Sequence, residues 1–513
     1  MKEAGTMLRL TRNILWNLVG QSLPLLVGLA AIPITVRYLG DARFGLLGLV
    51  WAILGYFSVF DFGLGRATTK FVAELLGTEG EGEPAELSVL VAGSVVAQTS
   101  LGVIGGATLW FATSLLVSDV FRIDVAFRAE AVSTFHVLAA LLPVLLFTLS
   151  LRAILEGAQR FDLVNLIRVP NSILVFVIPA VGASLGMRLP VIVMLLLVAR
   201  VVIGVLTLLA VHKALPSFVW RVGRDWGLLV RLVSYGGWVA VSNFLSPFLV
   251  FLDRFAVGSL VGLSAVAYYT APYEVVTRLW IIPASVASAL FPALSANSRD
   301  GSTGEDAGLY VGSIRHVILL MLVPTALLVA FAGDLLRLWL GPTFAESGAV
   351  ALRFLAIGVF INSIAHIPYS YLQAHGRPDL TAKFHLLELP IHLVVVWYLV
   401  SRFGVPGAAM AWTVRVALDA GLLLGGVRWK FRIPLADTLR GIGASALTTC
   451  GVFVVALGAV RLSPLPDRWQ ILLTVGLIFS VGFTVWQFVL TSEERRVAAA
   501  VIDRRTQSVG NGR

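Results

Sequence analysis

The chain is a near-continuous succession of long apolar stretches, and that pattern limits what it can fold into more than any single residue does. A hydrocarbon core about 30 Å thick takes about 20 apolar residues per helical crossing. Ile14 to Val36, Leu87 to Val117 and Gln470 to Leu490 each supply that length. Backbone polar groups must be satisfied within lipid, so only helices or a closed barrel span it, and unbroken apolar runs lack the alternation a barrel requires. The expected fold is therefore an all-α integral membrane protein of roughly fourteen transmembrane helices. The spans are read at 13–36, 44–64, 87–117, 132–151, 163–186, 190–212, 232–253, 264–295, 312–332, 348–373, 380–401, 405–427, 439–460 and 469–490. Composition agrees, with 58% of residues apolar and 13% charged.

Lys2, Arg9 and Arg12 precede the first apolar run, whose length and lack of a small-residue cleavage site fit a retained helix better than a secretory signal. Basic residues concentrate after even-numbered helices: Arg221, Arg224 and Arg231 after the sixth, Arg428, Lys430 and Arg432 after the twelfth, and Arg495, Arg496, Arg504 and Arg505 in the tail. By the positive-inside rule both termini are expected in the cytoplasm. The net charge of +10 then reflects helix orientation and contact with anionic membrane lipids, and no nucleic-acid partner is expected. The single cysteine, Cys450, lies in an apolar run and excludes an intramolecular disulfide and a cysteine-rich metal site.

A shift of about 220 residues lays the chain weakly over itself. Leu155 to Leu163 (LEGAQRFDL) falls over Leu372 to Leu380 (LQAHGRPDL), Leu189-Pro190 over Val405-Pro406, Arg200 over Arg415, and Trp16 and Gly40 over Trp238 and Gly262. An even number of spans per repeat relates the halves by an axis along the membrane normal, an arrangement common in transporters. The expected organisation is an N-lobe at 1–213 (helices 1–6), a cytoplasmic linker at 214–231, a C-lobe at 232–428 (helices 7–12), two extra helices within 429–490 and a basic cytoplasmic tail at 491–513.

Arg12-Asn13-Ile14-Leu15-Trp16-Asn17, Tyr38-Leu39-Gly40, Phe44-Gly45-Leu46, Asp61-Phe62-Gly63-Leu64-Gly65-Arg66-Ala67 and Phe71-Val72-Ala73-Glu74 together give the chain a family likeness. It resembles the polysaccharide biosynthesis proteins, the O-antigen-type flippases of the multidrug/oligosaccharidyl-lipid/polysaccharide exporter superfamily. The resemblance implies movement of undecaprenyl-pyrophosphate-linked oligosaccharide from the cytoplasmic to the outer leaflet of a bacterial inner membrane by alternating access, for cell-surface polysaccharide synthesis. It also implies a polyprenyl-diphosphate-linked oligosaccharide as partner, with a polysaccharide polymerase and chain-length machinery as further ones. No cofactor is expected; a proton gradient, a sodium gradient and the membrane potential remain open as sources of coupling.

An ionisable side chain within a span costs a few kcal/mol and asks for a partner, a wet cavity or a ligand. Those inside the spans are Asp61, Arg168, Arg200, Asp253, Arg254, Glu274, Arg278, Arg353, Glu388, Arg415 and Asp419. Glu274 and Arg278 are four apart, as are Arg415 and Asp419, so each pair can close on one helix face, either as a self-neutralising pair or as part of a cavity where arginine meets phosphate. Arg200 has no acid within four residues and must look to another helix or to a ligand. Asp253 and Arg254 are read at the end of the seventh span, where they either snorkel to the interface or face the cavity, Arg254 then being a candidate substrate contact.

Asn13, Asn17 and Gln21 form one amide stripe on the first helix, suited equally to helix–helix contact and to sugar hydroxyls. Arg66 and Lys70 lie on the polar face of an amphipathic extension of the second helix, either a solvated face or an entrance that gathers headgroups. Asp61, Glu274, Glu388 and Asp419 are the candidates for ion coupling. His385 and His392 share a helix face with Glu388 and are read as interior histidines; no metal site is expected. No nucleotide-binding loop or acidic metal-binding constellation is present, so catalysis is not expected. The rivals are an ion-coupled exporter of cationic drugs from the same superfamily, and a membrane-embedded glycan transferase or polymerase.

Overall fold

The computed structural model describes residues 24, 26–57, 64–77, 84–215, 249–287, 290, 294, 303–434, 440, 443–489 and 495. Among them, nine helices are long and apolar enough to cross a membrane, as expected of a multi-pass membrane protein. The chain forms two compact units, one of Met1–Val275, Leu336–Ala351 and His385–Trp412, the other of Val276–Leu335, Leu352–Phe384 and Thr413–Arg513.

In the first unit, α1 (Leu26–Leu39), α2 (Asp41–Phe57), α3 (Leu64–Gly77), α4 (Pro84–Leu115), α5 (Val125–Gly157), α6 (Phe161–Ser184) and α7 (Leu189–Ala214) are followed by α8 (249–260) and α9 (Leu263–Thr277). The most extensive packing is of α5 against α4 and α7. Glycine permits the first contact: a Cβ at Gly106 would sit 2.5 Å from the Ala139 carbonyl oxygen, and one at Gly102 would sit 2.7 Å from Pro143 Cα. Small residues four apart allow two helix backbones to approach in lipid, where no hydrophobic effect draws them together.

The segment expected as an amphipathic extension of the second helix is helical as α3, Leu64–Gly77. Leu64 and Val72 pack with Leu90, Val91, Leu151, Ile154 and Leu155. Thr69 Oγ1 donates to the Ala153 carbonyl at 3.0 Å, and the Thr68 and Ser94 hydroxyls meet at 3.0 Å. The apolar face is thus spent on the bundle. At the start of α7, Glu130 on α5 accepts both the Leu189 backbone N–H at 3.1 Å and Arg43 Nε at 2.9 Å.

The second unit contains α11 (Thr303–Ala330), α15 (Ala444–Leu462) and α16 (Asp467–Thr484), with parts of the longer helices that cross between units. These are α12 (Ala332–Leu340), α13 (Pro342–Ala374) and α14 (Pro378–Phe431), while α10 is the short helix at 281–287. Cys450 packs against the cluster of Leu322, Phe453 and Leu457, in keeping with a packing role. Helix α14 contains the two spans expected at 380–401 and 405–427, divided at Gly404, whose φ of 60° only glycine adopts readily. A Cβ at Gly407 would lie 2.0 Å from the Leu399 carbonyl oxygen, so the two segments meet closely beyond that break.

The sequence repeat is visible as one loop built twice. Gln159 (φ 55°) and Gly376 (φ 68°) take the left-handed conformation at matching places. Arg160 N then donates to Leu155 O, and Arg377 N to Leu372 O, both at 2.9 Å. Each arginine forks onto the next helix's first acid: Arg160 onto Asp162 at 3.0 and 2.9 Å, Arg377 onto Asp379 at 2.8 and 2.9 Å. These hydrogen bonds raise both guanidinium groups above their ordinary pKa.

Candidate functional site

Two polar constellations lie inside the first unit. The first is built by α8, α9 and the His385–Trp412 part of α14. Asp253 and Arg254, expected at the end of a span, instead sit inside α8, because Phe255, Ala256 and Val257 carry the apolar helix onward to residue 260. They are 0% and 2% exposed, so both side chains are enclosed by protein. Tyr269 donates its hydroxyl to Asp253 Oδ2 at 3.1 Å. His392 Nε2 stands 3.3 Å from Asp253 Oδ1, out of hydrogen-bond alignment. Arg254 Nη2 pairs with Glu274 Oε1 at 3.1 Å, and its guanidinium lies 4.8 Å from the Tyr273 ring centroid. Tyr273 meets Trp412 edge to face at 5.9 Å. Arg254 is thus neutralised by an acid from another helix and lies against an aromatic ring, and Asp253 is held by a tyrosine hydroxyl, an arrangement that makes charge tolerable at membrane depth.

Glu274 therefore pairs with Arg254, a partner that the four-residue spacing to Arg278 did not suggest. Arg278 itself opens a 3-10 turn, Arg278–Trp280, after α9 has ended at Thr277. Glu388 is wholly buried. Arg415 and Asp419 are buried one turn apart in the second unit, and Arg353 is exposed on α13. Asn13, Asn17, Gln21 and Asp61 lie outside the described residues, as do the side chains of Arg66 and Lys70, whose backbones belong to α3.

The second constellation is a cleft of about 60 Å³ between α5, α6 and α7, lined by Arg152, Arg168, Asn171, Arg200, Thr148 and Thr207 among apolar neighbours. Arg152 Nε holds Glu156 at 2.7 Å one turn along α5. Neither Arg168 nor Arg200 has a side-chain hydrogen bond or ion pair with any described residue. Sequence reasoning flagged both but did not bring them together, since they lie on different helices. Arg152 was missed because the fourth span was ended at residue 151, whereas α5 runs to Gly157. Asn171 and Tyr269 carry no charge and gave no signal.

The family model for polysaccharide biosynthesis proteins matches residues 10–298, and the MatE model matches residues 239–398. A Shigella flexneri protein named "Putative O-antigen transporter" is 30% identical over 80% of this chain and 96% of its own length. Two solved structures share the fold. The lipid II flippase MurJ in an inward closed conformation has a TM-score of 0.70 at 13% identity, covering 93% of this chain and 100% of the other. An inward-facing multidrug resistance MATE family transporter has a TM-score of 0.69 at 18% identity, covering 82% and 99%.

Proposed function

From its membership of the polysaccharide biosynthesis protein family, we propose that the chain is a flippase that moves polyprenyl-diphosphate-linked oligosaccharide between leaflets for cell-surface polysaccharide synthesis. The observation that carries this reading is the 30% identity across 96% of the O-antigen transporter relative. The charge inside the first unit supports it, because the cleft between α5, α6 and α7 carries arginines and no acid on its wall. Such a lining attracts an anionic headgroup and repels the cationic drugs of the rival exporter reading.

The membrane is the bacterial inner membrane, with both termini in the cytoplasm. Two lobes alternate access to the two sides; the glycan crosses in a wet cavity while the polyprenyl tail stays in lipid, since burying so apolar a chain in water is costly. The chain does no covalent chemistry. A proton gradient, a sodium gradient or the membrane potential drives the step, and the polymerase and chain-length machinery receive the product.

The test uses the purified chain in liposomes with fluorescent lipid-linked oligosaccharide on one side. Appearance of the label in the other leaflet above the rate of protein-free liposomes is the expected result. No movement under any imposed ion gradient, together with gradient-driven export of a cationic dye, replaces the flippase reading with the drug-exporter one.

A further inference from the structure

We infer that the cleft between α5, α6 and α7 is a binding subsite for a phosphoryl anion, gripped by Arg168 and Arg200 with Arg152 and Asn171 completing the set. The proposal deepens the flippase reading and rests on it only for the source of the phosphate, which is either a lipid diphosphate headgroup or a free anion.

Depth is the first argument. Arg200 stands 11 residues into α7 and 14 from its end, about 16 Å and 21 Å along the axis. It thus lies near the middle of a hydrocarbon core about 30 Å thick. Arg168 enters from α6, seven residues after Phe161. A guanidinium at such depth is costly unless an anion accompanies it.

The same unit shows other arginines matched to acids. Arg254 is matched with Glu274, and Arg43 with Glu130, each within 3.1 Å. Arg168 and Arg200 have no such match among the described residues. A third arginine faces the same cleft, so positive charge converges from three helices. That is unfavourable for an empty structural core and favourable for an anion site.

Geometry narrows the ligand class. One arginine saturates a planar carboxylate through a bidentate fork, whereas guanidiniums approaching from three helices suit a tetrahedral group with several oxygens. The cleft, at about 60 Å³, is compact and not shaped for a sugar. Thr148 and Thr207 spend their hydroxyl protons on the Val144 and Ile203 carbonyls, at 2.8 and 2.6 Å, and offer only lone pairs. The donors left for a phosphoryl group are the arginines and the Asn171 amide. Glu156 engages Arg152 through Nε, leaving its terminal amino groups to the cleft. Glu156 is thus a counter-charge that competes with the ligand for Arg152.

The experiment measures binding of inorganic pyrophosphate to the purified full chain in zwitterionic nanodiscs. Arg168→Gln and Arg200→Gln should each weaken binding roughly ten- to a hundredfold, the worth of a charged hydrogen bond. Lysine at either position should recover part of the loss, since charge is kept and the fork is not. Glu156→Gln should tighten binding severalfold, and a misfolded protein does not gain affinity. Competition by soluble short-chain polyprenyl diphosphate marks a lipid headgroup as the source; competition by inorganic phosphate alone marks a free anion; either supports the site.

Equal pyrophosphate binding by wild type and both glutamine variants, or weaker binding by Glu156→Gln, overturns it. Flipping is scored separately in liposomes. A wild type that binds pyrophosphate through these arginines yet flips nothing keeps the subsite and removes the flippase reading. A wild type that flips but binds no pyrophosphate, with both glutamine variants flipping normally, does the reverse.

Discussion

Tyr269 donates a 3.1 Å hydrogen bond to Asp253, and both side chains are 0% exposed. A carboxylate so placed depends on its few donors, because neither water nor lipid headgroups can replace them. Tyr269→Phe removes a donor while keeping the ring, and should lower stability by about 1–3 kcal/mol. Thermal unfolding in detergent, followed by tryptophan fluorescence, reads the effect. An unchanged midpoint would mean that Asp253 is satisfied in some other way.

The Arg254–Glu274 pair joins α8 to α9 with the arginine 2% exposed. Removing one partner of a buried pair leaves a charge uncompensated, so Glu274→Ala should cost about 3–5 kcal/mol. The double variant Arg254→Met/Glu274→Leu should be more stable than Glu274→Ala alone. A double-mutant cycle with no coupling between the positions would show that the two charges are stabilised independently.

Close approach of α4 to α5 depends on Gly106, where a Cβ would meet the Ala139 carbonyl at 2.5 Å. Gly106→Val should reduce the yield of folded, monodisperse protein, at a cost of about 1–3 kcal/mol or more. Gly93, on the same helix with nothing within 4 Å of a Cβ, is the control. Gly93→Ala should be neutral or slightly stabilising, through helix propensity alone. The same yield from both variants would mean that the two backbones can separate without penalty.

The twice-built loop predicts topology. With Cys450 replaced by serine, single cysteines at Arg160 and Arg377 should react with a membrane-impermeant thiol reagent from the same side of the membrane, the cytoplasmic one. Cysteines at Gly186 and Gly404 should react from the other. Reaction of positions 160 and 377 from opposite sides would exclude a parallel repeat.

Much of the fold was legible in one dimension. The length of an apolar run fixes a crossing whatever its neighbours are, because lipid demands that a helix satisfy its own backbone. The spans read at 87–117, 132–151 and 190–212 accordingly reappear as α4, α5 and α7. The division of α14 at Gly404 was also legible, since Gly404 and Pro406 interrupt the run. The repeat announced itself through Arg160-Phe161-Asp162 and Arg377-Pro378-Asp379, whose fork is local in sequence and needs no tertiary contact to form.

Pairing of charges was another matter. Four-residue spacing pointed Glu274 towards Arg278; the structure gives Glu274 a partner the spacing did not suggest, Arg254 on the preceding helix. Asp253 finds Tyr269 and His392 on two further helices. Arg152, Arg168 and Arg200 share a cleft from three helices. The sequence by itself determined that Asp253, Arg254, Glu274, Arg168 and Arg200 lie within membrane spans and need partners, because insertion cost depends on residue type and depth. Which charges are matched and which face a cleft without an acid was decided by the tertiary structure alone, through the rotation and register at which helices pack, quantities that a hydropathy pattern does not encode.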